Sequence, residues 1–329
     1  MTTADAFSFS TRIFLTNSSG DRNLQRKKTV AALGNFDGVH KGHMELIKKA
    51  VETAEKMGAK SMLYTFGNHP AKVLNPDANA KILTSKNKKE KIAKENSIDT
   101  VYFETFTAGY AAMSPEEFVK KILVEKLNAS AVVTGFNYTF GAKGSGDTEM
   151  LKTICGKYGI DVYVIPQVVI NGNTVSSSFL RKLVSEGNVS EYPDYTGRMF
   201  SVSGKVVGGK HLGRSLGFPT ANIVPEPDIC LPSPGVYITE TDIGGKTVHG
   251  ITNVGSNPTF DEKTTRIETF LFDFSGDLYG DEIEVFFIKK TRDEIKFAGS
   301  DELAERVKLD IAGGMRYFEE RKDSGTDIQ

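Results

Sequence analysis

Apolar and polar positions along this 329-residue chain change their period near residue 195. Before that point, short apolar runs alternate with stretches whose apolar residues recur every three or four positions, as strands alternating with amphipathic helices do. Thr29 to Phe36 reads as a buried strand, and between Met44 and Met57 the residues Leu46, Ile47, Ala50 and Val51 make one helical stripe. The unit recurs in AKSMLYTF with KNKKEKIAKENS, in TVYFETF with SPEEFVKKILVEKLN, and in ASAVVTGF with a helix from Asp147 to Tyr158, before IDVYVIPQVV. Ser114, Pro115 and Glu117 spell a capping box with proline at the first helical position. This alternation predicts an α/β domain: a parallel sheet with helices on both faces. Ligands of such sheets bind at the carboxyl ends of the strands.

After Tyr195 the helical period disappears. FSVSGKVVGG, GVYITETDIGGKTVHGITNVG, RIETFLFDF and EIEVFFIKK read as strands separated by Gly, Pro and Asp turns, with IGGK a hairpin turn. Only SDELAERVKLDIAGGMRYFEE keeps a helical pattern. Antiparallel strands closed by one helix predict a small β-barrel with a C-terminal helix. The boundary is expected at EYPDYTG, giving domains 1–194 and 195–329.

The net charge of -1 gives no bulk field for nucleic acid or a membrane surface, so neither is an expected partner and an anionic ligand must be held by local charge. Cys155 and Cys230, far apart and outside any C-x-x-C pattern, are expected to be free thiols in a reducing compartment. FSFSTRIFL is interrupted by Arg12 and lacks a cleavage site, so it is a poor signal peptide. No stretch has the length of a transmembrane helix. The expected location is the cytoplasm.

Candidate chemistry concentrates in LGNFDGVHKGH, where Gly34, Gly38 and Gly42 surround His40 and His43 at a strand-to-helix turn. With a helix starting near Val39, both imidazoles lie on one side of its first turn, beside unpaired N–H groups that attract an anion. A tight turn with solvated histidines is the plain alternative, and a zinc site would need a third ligand where only His69 is near in sequence. Asn137 in GFNYTFGAKGSGD and Ser176, Ser177, Ser178 and Arg181 in VSSSFLRKLV are further polar groups at strand ends. An ordinary polar loop and a serine N-cap are their plain alternatives. Together these loops can form one pocket.

GNFDGVHKGH contains an H-x-G-H signature, and with TFGNHP, GFNYTFG and SSSFLR it resembles the adenylyltransferase half of the bacterial bifunctional riboflavin kinase/FAD synthetase family. GGKHLGRSLGFPTANI, GVY, NVGSNPTF, IETFLFDF, DLYG and RDEIKF are similar to the family's kinase half, in the same order. The resemblance implies a Rossmann-like nucleotidyltransferase domain followed by the barrel. It implies phosphorylation of riboflavin to FMN by ATP and adenylylation of FMN to FAD with release of pyrophosphate. His40 and His43, with Gly34, Phe36, Gly42, Asn137, the three serines and Arg181, would serve the adenylyl-transfer phosphates, and His69, Pro70, Phe140 and Arg292 the flavin. Asn68, Asn137, Ser178 and Phe270 depart from the family's usual residues.

FMN carries its own anionic phosphate, so its attack on ATP needs positioning and charge neutralisation, which His40, His43 and Arg181 are expected to supply. The 5′-hydroxyl of riboflavin is neutral and calls for a carboxylate base; Glu268, on a strand otherwise rich in apolar residues, is the candidate, and a water-facing strand carboxylate is its alternative. Thr220 and Asn222 point the same way in an extended segment and can offer oxygen to a Mg²⁺ that accompanies ATP. Gly209, Lys210, Gly213, Arg214 and Gly217 form a candidate phosphate flap. A flavin-binding regulator with one impaired site, or a different H-x-G-H nucleotidyltransferase, are the other classes the residues allow.

Overall fold

The structure is a computed structural model that describes residues 27–208, 218–256 and 265–324. Its first half is the predicted alternation: β1 (Thr29–Leu33), α1 (Lys41–Met57), β2 (Lys60–Phe66), α2 (Pro70–Leu74), α3 (Lys86–Glu95), β3 (Thr100–Glu104), α4 (Ala108–Ala111), α5 (Pro115–Glu117), β4 (Ala129–Gly135), α6 (Thr148–Gly156), β5 (Asp161–Ile165), the short β6 (Val169–Ile170) and β7 (Asn173–Thr174), α7 (Ser177–Glu186) and α8 (Tyr192–Thr196). Five strands pair in parallel in the order β3-β2-β1-β4-β5. Chain order reverses between β1 and β4, which opens a crevice at their carboxyl ends. Every residue of β1 is buried, which explains its unbroken apolar run.

The predicted capping box is present: the Glu117 N–H donates to Ser114 Oγ (3.2 Å) and the Ser114 N–H to Glu117 Oε2 (3.1 Å). The helix it opens widens after one turn into a π-helical stretch, Phe118–Lys126, where Leu127 N–H reaches back to Ile122 O (2.9 Å). The three- and four-residue spacing of its apolar residues did not reveal that widening. Helix α1 begins at Lys41 with His40 as its N-cap, so only His43 lies inside the first turn. The strand before it ends at Leu33, earlier than the apolar run to Phe36.

The second half closes into a barrel from β8 (Phe200–Val207), β9 (Thr220–Pro225), β10 (Gly235–Ile243), β11 (Lys246–Ser256), β12 (Thr265–Leu271) and β13 (Glu282–Arg292), ordered β10-β11-β12-β9-β8-β13 and antiparallel throughout. Gly244 and Gly245 both have positive φ (60° and 89°) in the β10–β11 hairpin, as the IGGK turn requires. Inside the barrel, Thr239, Thr252 and Thr269 share hydroxyl hydrogen bonds of 2.8 and 2.9 Å, which satisfies three fully buried polar groups. Outside, Phe318 of α9 (Ser300–Ser324) covers Val236, Ile238, Ile251 and Ile288. Cys155 and Cys230 are buried free thiols, and burial pushes both thiols upward, to about 12 and about 11.

The halves are packed together. One buried cluster runs from Leu180, Leu183 and Tyr192 to Phe200, Tyr237 and Ile267, and an isolated parallel bridge joins Ile82 to Ile229. Lys88 of α3 reaches Glu284 of β13 (2.8 Å) and also hydrogen-bonds Ser201. Burial pulls the Lys88 ammonium below its usual range while Glu284 pushes back. Lys88→Met leaves that carboxylate without its cation and is expected to cost about 1–3 kcal/mol. Lys94→Met, which removes an exposed partner of Glu90, should cost less than about 0.5 kcal/mol. Denaturant titrations of both variants check this, and equal losses would mean that the contact between the halves is a surface pair.

Candidate functional site

A cavity of about 780 Å³ opens at the carboxyl ends of β1 and β4, where the strand order reverses. It gathers most of the residues expected in the first half: Gly34, His40, Gly42 and His43 from the β1–α1 turn, Asn137 and Phe140 from the loop after β4, Ser176, Ser177 and Ser178 at the start of α7, and Pro70. Among its lining residues Phe66, Phe106 and Tyr110 pack ring to ring at 5.0–5.5 Å and Tyr64 meets Tyr110 through its hydroxyl (3.2 Å), while the histidines and serines are its polar groups. That division suits a ligand with a flat apolar part and an anionic part.

The β1–α1 turn is conformationally unusual. Phe36, Gly38 and Val39 have φ of 48°, 78° and 36°, a region costly for a β-branched residue. Gly38 also has no room for a Cβ, which would lie 2.9 Å from Leu83 and Leu180. Its N–H donates to Thr84 Oγ1 (3.0 Å). Between them, Asp37 turns inward and is 6% exposed. Its Oδ1 accepts from the N–H groups of Leu83 (2.8 Å) and Thr84 (3.1 Å), its Oδ2 from Arg181 (2.6 Å), and its carbonyl from Ser177 Oγ (2.7 Å). Lys89 donates to Asn35 O (2.8 Å), and Arg198 to Gly38 O (3.2 Å) and Val39 O (2.8 Å).

His40 Nδ1 accepts the His43 N–H (3.2 Å), and the two rings stack 3.7 Å apart at 15°. Burial is the chief reason the His40 imidazolium is pulled down to about 4 and that of His43 well below its usual value; His43 is lowered further by His40, Lys89 and Arg198. The expectation that these histidines bring positive charge is therefore corrected for the ligand-free protein: at neutral pH both are neutral hydrogen-bonding groups. A polyphosphate beside them favours protonation again. His43 Nδ1 is buried without a hydrogen-bond partner, an atom that a ligand oxygen can satisfy.

Other expected residues lie elsewhere. Phe36 is fully buried with its ring 5.0 Å from that of His43, and it supports the cavity from behind. Arg181 and His69 line a separate cleft of about 360 Å³ with Cys230; Arg181 is bound to Asp37 and donates to Ser178 Oγ (3.3 Å), and His69 Nδ1 accepts the Ala71 N–H to cap α2. Only Ser176 precedes α7, as its N-cap, while Ser177 and Ser178 form its first turn. Asn68 bonds the backbone of Phe106 with both atoms of its amide, Oδ1 accepting the N–H (2.8 Å) and Nδ2 donating to the carbonyl (2.9 Å). Asp37, Lys89 and Arg198 escaped the sequence reading: the first sits inside the glycine-rich motif as an ordinary turn residue, and the others come from distant polar stretches.

In the barrel, Ile267 and Thr269 face the interior, so Glu268 and Phe270 face outward. Asn222 lies directly opposite Glu268, and Thr220 opposite Phe270, so all four share one face. Asn253 of β11 flanks Glu268 on its other side. These outward positions are half-buried. Asn222 Oδ1 is buried with no partner, and its amide donates toward Thr220 O (3.4 Å). A hard cation that takes neutral oxygen ligands suits that orphaned atom. Among the described residues no group of three or more His, Cys, Asp and Glu is clustered for a metal. Arg292 lies in the same cross-strand row, opposite Val236, and its guanidinium is bound to Asp310 of α9 by three contacts of 2.6–3.1 Å. Gly209, Lys210, Gly213, Arg214 and Gly217 lie outside the described residues.

Comparison with known proteins gives two family matches, one in each half of the chain. A family model for FAD synthetase matches residues 22–179 and one for riboflavin kinase matches residues 196–318. Relatives named bifunctional riboflavin kinase/FMN adenylyltransferase include one from Listeria monocytogenes, 35% identical over 89% of this chain and 94% of its own, and one from Bacillus subtilis, 33% identical over 89% and 94%. A crystal structure named as a macrolide-efflux protein from Streptococcus pneumoniae matches with a TM-score of 0.79 and 31% identity, over 86% of this chain and 92% of that one. Among the described residues, no helix is long and apolar enough to cross a membrane.

The neutral histidines tie stability to pH. Folded His40 takes its proton near pH 4 and unfolded histidine near 6.5, so the unfolded chain binds more protons between them and stability falls as pH drops through that window. His40→Asn keeps a cap acceptor and removes the titration. Denaturant midpoints at pH 7, 6 and 5 should fall less steeply for His40→Asn than for the wild type; parallel slopes would show that His40 is not buried neutral.

Proposed function

The chain belongs to the bifunctional riboflavin kinase/FMN adenylyltransferase family, and from that premise we propose that residues 195–329 phosphorylate riboflavin to FMN and residues 1–194 adenylylate FMN to FAD. The observation that carries the reading is the register Glu268↔Asn222: a carboxylate beside an oxygen ligand with no partner, on one outer face of the barrel.

In the kinase step, the 5′-hydroxyl of riboflavin attacks the γ-phosphorus of ATP, its proton passes to Glu268, and ADP leaves. Thr220 and Asn222 would hold a Mg²⁺ brought with ATP, and the ion would supply charge neutralisation on the phosphates. Phe270, whose ring meets Phe218 edge-on at 6.0 Å, gives this face an apolar neighbour for the flavin. Arg292 acts on the flavin side of the barrel through its place in the same row, held there by Asp310.

In the adenylyl step, a phosphate oxygen of FMN attacks the α-phosphorus of ATP, and the bond to pyrophosphate breaks. No general base is needed, since the nucleophile is already an anion. The start of α1, His40 and His43 bind the ATP phosphates, with Gly34 and Gly42 allowing close approach and Ser176, Ser177 and Ser178 donating hydroxyls. Asn137 orients the nucleotide, and the isoalloxazine rests on the aromatic cluster of the cavity, which Pro70 and Phe140 also line. His69 and Arg181 act from behind, through α2 and through Asp37. Cytoplasmic residence accords with substrates that are soluble metabolites.

Incubation with riboflavin and MgATP tests the whole reading: FMN should form first and FAD follow, whereas a flavin-binding regulator would retain riboflavin unchanged. Glu268→Gln keeps the shape of the side chain but cannot take the proton. It should lower kcat for FMN formation by about 10²- to 10⁴-fold with little change in flavin binding, while FAD formation from supplied FMN continues. His43→Ala should do the converse, slowing FAD formation and sparing FMN formation. Normal FMN formation by Glu268→Gln would return Glu268 to an ordinary strand carboxylate.

A further inference from the structure

We propose that Arg198, from the segment that joins the two halves, is a positioning residue for adenylyl transfer: it holds the strained β1–α1 turn in the conformation that aims His40 and His43. The inference rests on the adenylyl-transfer reading of the cavity and names a residue outside it. Arg198 lies between α8 and β8, past the end of the parallel-sheet half. Its guanidinium nevertheless reaches back about 160 residues, with one nitrogen donating to Gly38 O and Val39 O and the other to Thr196 O (3.0 Å).

Several observations make this more than a packing contact. The carbonyls it holds belong to the two residues immediately before His40, and both have positive φ, one of them a valine. A β-branched residue keeps such a conformation only where its surroundings dictate it. The peptide is planar and trans, so fixing the carbonyls of Gly38 and Val39 also fixes the N–H groups of Val39 and His40, which point the opposite way. The direction in which α1 leaves the turn, and with it the stacked pair His40 and His43, follows from those two peptide planes. A guanidinium suits this task because its planar fork reaches several carbonyls without rotating freely. Lys89 makes a parallel contact at Asn35 O (2.8 Å), so the turn is gripped by a buried cation at one end and a half-buried one at the other. Burial lowers both cations from their usual range, the cost that a merely decorative contact would not sustain.

The consequence is that the adenylyl-transfer site is completed by a residue on the kinase side of the proposed boundary. The test uses the full chain. Arg198→Met and Arg198→Lys are assayed for FAD formation from supplied FMN and MgATP, with kcat and KM determined separately, and for FMN formation from riboflavin in the same preparations. A turn displaced by an ångström should lower kcat for FAD formation by about 10- to 100-fold in Arg198→Met, with KM for ATP changed much less. FMN formation should stay within about twofold. Arg198→Lys restores a cation without the fork and should recover part of the lost kcat. A wild-type kcat in Arg198→Met, no recovery in Arg198→Lys, or equal losses of both activities would overturn the proposal. If Arg198→Met does not fold, Arg198→Lys carries the test alone: a kcat reduced for FAD formation only supports the role, and an unchanged kcat refutes it. A wild-type protein that makes FMN but no FAD would instead overturn the activity assigned to the cavity, before any variant is compared.

Discussion

The buried carboxylate of Asp37 is the interaction on which the parallel-sheet half depends. A carboxylate at 6% exposure is tolerable only when its oxygens are occupied. Those oxygens are occupied by two backbone N–H groups at Leu83 and Thr84 and by Arg181. Three segments far apart in sequence are thereby tied to one turn: the β1–α1 loop, the stretch before α3, and α7. The stretch before α3 also carries Ile82, which bridges to Ile229 beside the barrel. The same carboxylate that shapes the β1–α1 turn thus bonds a residue next to the seam between the halves.

The two proposed sites present different kinds of group. The cavity of the sheet offers neutral imidazoles, hydroxyls and a helix start, groups that cost less to bury than full charges and strengthen when a polyphosphate arrives. The barrel face offers a carboxylate with amide and hydroxyl oxygens beside it, the set expected where a proton must be removed and a hard cation held. Keeping these apart avoids a conflict, since Glu268 placed beside the histidines would stabilise their protonated forms in the absence of any phosphate.

Much of this was legible in the chain. The period of apolar residues was enough for the parallel sheet, the change near residue 195 and the barrel, because each residue's burial in these elements is decided by its own strand or helix. That Thr220 and Asn222 share one face was legible for the same reason: alternation along a strand assigns faces locally. The positions of Arg181 and His69 were not. The serines beside Arg181 suggested a phosphate contact and the family resemblance gave His69 to the flavin; in the fold one is drawn to Asp37 and the other caps α2.

What the sequence by itself determined, then, is the kind and order of the elements, the glycine-rich turn and the candidate residues to examine, since these depend on local pattern and on side-chain type. Tertiary structure alone decided the protonation of the two histidines, because desolvation and neighbouring cations come from packing. It alone decided the pairing of Glu268 with Asn222, because strand register is a property of two segments at once. It alone brought Arg198 to the carbonyls of Gly38 and Val39, because a contact spanning about 160 residues leaves no trace in any local period.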